Sequence, residues 1–468
     1  MLINGRHDRG DVLHGTDLGD EIHGYELNDA LYGDGGIDWL WGDSGDDGLW
    51  GGPGGDHLDG GEGSDTAYYY DSATGVRVSL LLGLGHGGTA EGDTLINIEN
   101  LAGSNFNDTL EGDNGANWVG GYGGTDWLYG FDGVDYLWGG DDNDMLFGGR
   151  DGDTLNGGEG SDTASYQDSA SGVDVSLLTG RGHGGTAEGD TLISIEKLAG
   201  SAHADLLDGD DRANAIAGWD GNDRLLGGGG VDYLWGGDDN DTLVGGRDGD
   251  YLNGGRGNDT ASYEDSASGV SVSLVTERGY GGTAEGDTLT DIENLGGSGY
   301  NDLLVGDDGI NALAGGSGND TLKGGGGFDH LLGGDGNDTL QGGSYVPVGD
   351  GSFIASLSAD WGAFDWLEGG AGADTFVAGF ADFISDFRRA EGDRIDVHGI
   401  DANTTVSGNQ DFTRVVAGMT MTPGEIGYTS DGVDTVFYLN TDNDIHAEMT
   451  IRVAGVFTPD PDASWFVL

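Results

Sequence analysis

The sequence predicts an all-β protein: a parallel β-roll built from 97-residue repeat units, with β-strand inserts and a β-rich C-terminal cap. Three observations point there. A nine-residue phrase, G-G-x-G-x-D-x-U-x with U apolar, recurs about 28 times in 468 residues. Longer markers recur at steps of 97: Asp65-Thr66-Ala67, Asp162-Thr163-Ala164 and Asp259-Thr260-Ala261, and likewise the Ala-Glu-Gly-Asp runs ending at Asp93, Asp190 and Asp287. A fixed period of this kind marks a solenoid, whose repeats bury their apolar faces only against neighbouring copies. The 100 glycines come with five prolines and no three-residue period, which argues against collagen.

Within each phrase, glycines at positions 1, 2 and 4 allow backbone angles closed to other residues, so the first six positions form a turn. Positions 7 to 9 form a short strand whose middle residue points inward. The expected inward residues include Leu13, Ile22, Leu31, Leu40, Leu128, Leu137, Leu146, Leu225, Leu234, Leu243, Leu322, Leu331 and Phe376. Two phrases close one coil, so alternate copies stack about 4.8 Å apart.

Repeat blocks are expected at 1–68, 103–165, 200–262 and 297–377, the last interrupted near 344–359. Inserts fill 69–102, 166–199 and 263–296, and a cap occupies 378–468. Each insert opens where the inward residue shrinks to alanine and continues as an alternating strand, Val76-Arg77-Val78-Ser79-Leu80 in the first. Alternation means one buried face, and these strands are expected to lie over the side of the roll. Outward positions 7 and 9 carry paired rings, Trp39/Trp41, Trp127/Tyr129, Tyr136/Trp138 and Tyr233/Trp235. The inserts are expected to cover them.

The chain has 85 acidic and 17 basic residues, a formal charge of −68. It should repel nucleic acid and anionic membranes, and also itself unless cations neutralise it. Low hydrophobicity with high charge belongs to the disordered regime, so the metal-free chain is expected to be unfolded. There is no cysteine for disulfides or thiolate chemistry. The start, Met1 to His7, lacks the apolar core of a secretory signal. No stretch approaches the roughly 20 apolar residues of a membrane span, so a soluble molecule without a membrane span is expected.

Magnitudes point to a missing stabilising term. One buried leucine contributes about 1.5–3 kcal/mol, whereas ordering each backbone costs roughly 1–2 kcal/mol, and a repeat orders nine. Calcium fits the deficit because it accepts six to eight hard oxygens in flexible geometry. Magnesium fits less well, since it demands tighter octahedra and gives up water reluctantly. Position 6 is Asp in 25 of 28 copies, and the exceptions are Asn117, Asn214 and Asn311, each the second copy of its block. The candidate ligands are Asp11, Asp20, Asp29, Asp38, Asp47, Asp56 and Asp65 in the first block, and Asp108, Asp126, Asp135, Asp144, Asp153 and Asp162 in the second. The third block supplies Asp205, Asp223, Asp232, Asp241, Asp250 and Asp259, and the fourth Asp302, Asp320, Asp329, Asp338, Asp365 and Asp374.

These phrases resemble the calcium-binding nonapeptide repeats of RTX secreted proteins, which form parallel β-rolls. The resemblance implies ions held between stacked turns by position-6 carboxylates and carbonyls of the glycine-rich stretch. About 20 bound ions would lower the charge to about −28. Ile384-Ser385-Asp386-Phe387, Gly392-Asp393-Arg394-Ile395-Asp396-Val397 and a strand pair at 433–440 and 448–456 resemble the C-terminal segment of serralysin-like exoproteins. That resemblance implies a cap on the roll and an uncleaved signal for a type I secretion apparatus. Asp442-Asn443-Asp444 is a further acidic turn that could take calcium.

No His-Glu-x-x-His and no Gly-x-Ser-x-Gly is present, so neither zinc-protease nor serine-hydrolase chemistry has its motif. His14 and His23 are nine residues apart and belong to opposite sheets. The expected function is a secreted, non-catalytic calcium-binding protein with a structural, adhesion or surface-layer role, self-assembling or bound to a matrix. The alternative is a calcium-dependent polysaccharide-binding accessory module of an extracellular enzyme system, with calcium and the rings engaging an acidic glycan.

Overall fold

The computed structural model describes residues 1–343, 365–377, 382–397, 412, 414–418, 425–430, 432–440, 449–455 and 461–467. The expected interruption near 344–359 and the Asp442-Asn443-Asp444 turn lie outside the described residues. Regular structure among the described residues is β-strand, with four short 3-10 turns. Contacts divide the chain into two units, Met1–Gly227 with Trp235–Asp238, and Gly228–Leu234 with Asp239–Leu468.

In the first unit, successive strands alternate between two parallel ladders, and residues 18 apart lie side by side. Glu21–Glu26 pairs with Trp39–Ser44, placing Ile22 beside Leu40, and Leu40 lies beside Leu58 in the next rung. On the other ladder, Leu13, Leu31 and Leu49 form a matching column. Ile22, Leu31, Leu40, Leu128, Leu137 and Leu146 are fully buried, as the nine-residue spacing predicts. Leu13 is only half-buried, because its strand is the first in its ladder.

Replacing Leu137 by Ala should therefore cost about 2–5 kcal/mol, and Leu13→Ala clearly less. Denaturant melts of both variants in saturating calcium check this.

The inserts do not lie over the side of the roll. They enter the ladders themselves. In the first, Thr94–Ile96 adds in parallel to His57–Glu62, with Leu95 beside Leu58. Leu84–His86 then runs antiparallel between Thr94–Ile96 and Arg77–Ser79. Arg77–Ser79 resumes the parallel order, with Val78 beside Leu110. On the opposite ladder, Asn100–Ala102 fills one rung between Ala67 and Val119. The alternating face therefore joins the same inward column, and Val78 and Leu110 are fully buried. The second insert repeats this meander in the other ladder, between Thr154–Glu159 and Leu206–Asp208. The aromatic pairs consequently remain open: Trp39 is 47% exposed and Trp127 44%.

In the second unit, one inward column runs Val272, Leu304, Leu322, Leu340, Phe376, Ile395, Phe466. A second runs from Leu313 through Leu331, Leu367 and Ile384 to Val453. The C-terminal segment therefore continues the ladders beyond the last repeat. Asp434–Asn440 joins antiparallel to both Glu425–Ser430 and Met449–Ala454. Trp465 and Phe466 are buried against Phe387 and Phe437, so the apolar tail forms part of the core of the cap.

Candidate metal centres

The position-6 aspartates are buried where each turn enters its strand, and they form a hydrogen-bonded chain along the stack. The N–H of Asp20 donates to Asp38 Oδ1 at 2.7 Å, Asp29 to Asp47 at 2.7 Å, Asp38 to Asp56 at 2.8 Å and Asp47 to Asp65 at 2.7 Å. The same bond links Asp108 to Asp126, Asp126 to Asp144, Asp135 to Asp153, Asp144 to Asp162 and Asp205 to Asp223. In the second unit it links Asp232 to Asp250, Asp241 to Asp259, Asp302 to Asp320 and Asp320 to Asp338. Asp329 and Asp338 reach across the interruption to Asp365 and Asp374. One oxygen of each accepting carboxylate is thus held by the preceding coil.

The other oxygen decides the chemistry. Oδ2 of Asp29, Asp38, Asp47, Asp56, Asp65, Asp126, Asp135, Asp144, Asp153 and Asp162 is buried without a hydrogen-bond partner, as is that of Asp250, Asp259, Asp320, Asp329 and Asp338. A buried, unsatisfied anionic oxygen is costly, and a native fold does not repeat that cost in register without a compensating partner. Each such oxygen faces the first glycine of its own turn. A Cβ built on Gly24 would stand 2.5 Å from Asp29 Oδ2 and 2.8 Å from the carbonyl oxygen of Gly42. At Gly33 the corresponding distances are 2.7 Å to Asp38 Oδ2 and 2.5 Å to Gly51 O. Carboxylate and carbonyl thus converge from adjacent coils on a space that any side chain would fill. Hard anionic and carbonyl oxygens without a proton donor suit calcium. No group of three or more His, Asp or Glu side chains converges among the described residues, so backbone carbonyls must make up most of any ligand shell.

Some candidates stand differently. Asp108 accepts from the N–H of Val76 and from the Ser104 hydroxyl through Oδ1, and from the Ser104 N–H through Oδ2. Asp205 and Asp302 repeat this with Ser201 and Ser298. Asp20 is held by the Thr16 N–H and hydroxyl and by the terminal ammonium, and Asp11 by the Arg6 N–H and the Arg9 guanidinium. Protein donors already satisfy all five. The three asparagines are neutral alternatives to a metal: Asn117 donates to the carbonyl of Glu99 in the preceding insert, Asn214 to that of Glu196 and Asn311 to that of Glu293.

Sequence reasoning missed the residues that carry this chain through the inserts. Asp93, Asp190 and Asp287 accept from Asp56, Asp153 and Asp250 across a 37-residue step. Glu99, Glu196 and Glu293 accept from Asp65, Asp162 and Asp259. The second oxygens of Asp93 and Asp190 take the hydroxyls of buried Tyr69 and Tyr166. The signal was available in the Ala-Glu-Gly-Asp runs, whose Gly-Asp ending mimics the end of a turn.

Burial raises these acids. It pushes Asp126 up to about 9 against the opposing hydrogen bond from Asp108, and Asp153 and Asp250 to about 8. Asp47, Asp56, Asp144 and Asp329 are pushed to about 7 in the same way. Near neutral pH Asp126, Asp153 and Asp250 would sooner take up a proton than stay charged without a cation, and the other four would be about half-protonated.

Stacked turns, many of which bury a bare carboxylate oxygen, define a parallel β-roll suited to binding cations. A family model described as the RTX calcium-binding nonapeptide repeat matches residues 23–57, 32–67, 97–128, 129–164, 199–234, 226–261, 296–331, 314–344 and 362–382, more than half of the chain. The chain belongs to this family, and calcium is its cation. A search of curated proteins found no match. No helix among the described residues is long and apolar enough to cross a membrane.

Proposed function

We propose that this is a secreted, non-catalytic protein that folds on calcium outside the cell and serves as structural, adhesive or surface-layer material. The observation that carries this reading is the row of buried Asp Oδ2 atoms lacking a protein donor. At low cytoplasmic calcium their mutual repulsion and desolvation oppose folding, and the chain stays open for a type I secretion apparatus. Calcium at millimolar levels outside couples binding to folding. About 20 ions would be held by the position-6 aspartates other than five, together with the facing glycine carbonyls. Asp11, Asp20, Asp108, Asp205 and Asp302 would be structural acceptors instead.

Elemental analysis of desalted, calcium-loaded protein tests the assignment. Asp126→Asn should lower the bound calcium count and cost about 1–3 kcal/mol in calcium, while Asp108→Asn leaves the count unchanged. Equal calcium loss in both variants would contradict it. Calcium-dependent particle growth in light scattering, or capture on extracellular matrix, tests the structural role. A second reading, calcium-dependent polysaccharide binding, is favoured by the exposure of the aromatic pairs.

A further inference from the structure

We infer that Trp118, Tyr136 and Trp138, walled by Tyr122, form a stacking site for an uncharged polysaccharide. The inference deepens the polysaccharide reading and rests on it. Trp118, Tyr136 and Trp138 line an open depression of about 390 Å³ on one ladder of the first unit, within the size range of small-ligand sites. Trp118 sits beside Tyr136 and Gly120 beside Trp138 in adjacent rungs. Gly120 is what opens the site: a Cβ there would stand 2.5 Å from the Trp118 ring, so only glycine lets that indole lie across the strand. Tyr136 is 38% exposed.

The wall is built at a conformational cost. Tyr122 holds φ 76° at position 2 of its repeat, where Gly140 and Gly158 of the following coils take φ 117° and 105°. Bulky side chains avoid that region. Yet Tyr25 (φ 79°) and Trp219 (φ 82°) repeat the exception at steps of 97 residues. Tyr122 stands edge-on to Trp138 at 5.2 Å and to Trp118 at 6.4 Å, and Trp219 stands edge-on to Trp235 at 5.0 Å. Strained backbone kept at a solvent-facing aromatic cluster points to use rather than to stability.

The ligand's chemistry follows from the surroundings. Flat rings with little aliphatic surface beside them suit a partner with one face of C–H groups and a polar rim. Neither indole N–H, of Trp118 or of Trp138, has an acceptor among the described residues, and Asn156 donates to the Tyr136 hydroxyl at the edge. These groups can address sugar hydroxyls. The carboxylates that could recruit an acidic glycan through calcium are buried in the turns, while Asp141 ends a strand that carries the site and Glu159 ends the strand paired beside it. A chain of net charge −68 repels polyanions. The acidic glycan expected from sequence therefore gives way here to a neutral one.

The test uses calcium-loaded full chain in titration calorimetry and affinity electrophoresis with soluble neutral glucan, mannan and xylan, a polyuronate, and tetramethylammonium. A neutral polysaccharide is expected to bind, and Trp118→Ala or Trp138→Ala to weaken it at least tenfold with the calcium count unchanged. Tyr122→Gly restores the usual residue of the repeat. It should keep or raise the melting temperature while weakening the glycan, which a purely structural ring would not do. Binding unchanged in all three variants would overturn the site and leave the polysaccharide reading standing. Preference for polyuronate, or response to tetramethylammonium alone, would overturn the ligand class. No binding to any glycan would remove the reading and the site together, with calcium-driven folding untouched.

Discussion

Stripping calcium at pH 7.5 is expected to abolish nearly all of the β-structure rather than loosen it locally. Each coil buries acidic side chains whose second oxygen finds no donor, from Asp29 to Asp65 and again from Asp126 to Asp162. The column of small inward residues cannot offset that: Ala67 and Ala164 interrupt a ladder of single leucines, and each leucine contributes only about 1.5–3 kcal/mol. Repeats in a solenoid lean on their neighbours, so coils deprived of metal withdraw support from those beside them. Far-UV circular dichroism during chelation and re-addition of calcium reads the transition, which should be reversible and steep in calcium. Retention of full β-signal and an unchanged melt after chelation would contradict the assignment of calcium as the missing stabiliser. The first rungs after the inserts, where Ser104 and Ser201 satisfy Asp108 and Asp205, should be among the last to exchange their amide hydrogens.

Acidification is expected to act in opposite directions on the two forms. In calcium-free protein, burial raises the folded-state pKa of Asp126 to about 9, of Asp153 and Asp250 to about 8, and of Asp47, Asp56 and Asp144 to about 7. Unfolded carboxyls titrate near 4. Between those values the folded state binds more protons than the unfolded one, so stability falls as pH rises. The proton-dependent stabilisation is complete below about pH 4, declines as pH rises above that value, and is gone once pH passes the folded values of about 7 to about 9. Calcium-free protein should therefore gain β-structure as pH is lowered from 7.5 to 4.5. In the calcium form, protons compete with the cation for the same oxygens, so apparent calcium affinity should fall steeply over that interval. Melting curves at the two pH values, with and without calcium, check both signs. A calcium-free melting temperature that climbs with pH would show that some other group controls the fold.

The repeat architecture was legible because it is periodic. The nine-residue phrase places Ile22, Leu40 and Leu58 in one column and Leu31 and Leu49 in the other, and the structure reproduces that register. The acidic turn was equally legible, since Asp recurs at position 6 with the same glycines. The inserts were not. Val76 to Leu80 alternates as any half-buried strand would, and alternation states that a face is covered without naming what covers it. The neighbour proved to be the roll's own ladder, reached by an antiparallel detour through Leu84–His86.

From residues alone come the parallel solenoid, its coil length and its demand for a hard divalent cation, because all three follow from spacing and side-chain chemistry repeated dozens of times. Which carboxylates are left with a bare oxygen is seen only in the fold. Asp108 and Asp126 hold the same position of the phrase, yet Ser104 donates to both oxygens of the first, while Oδ2 of the second is left without a donor. The open ring site likewise arises because Gly120 and Tyr122 meet Trp138 across a rung, and such a meeting belongs to packing rather than to any local run of sequence.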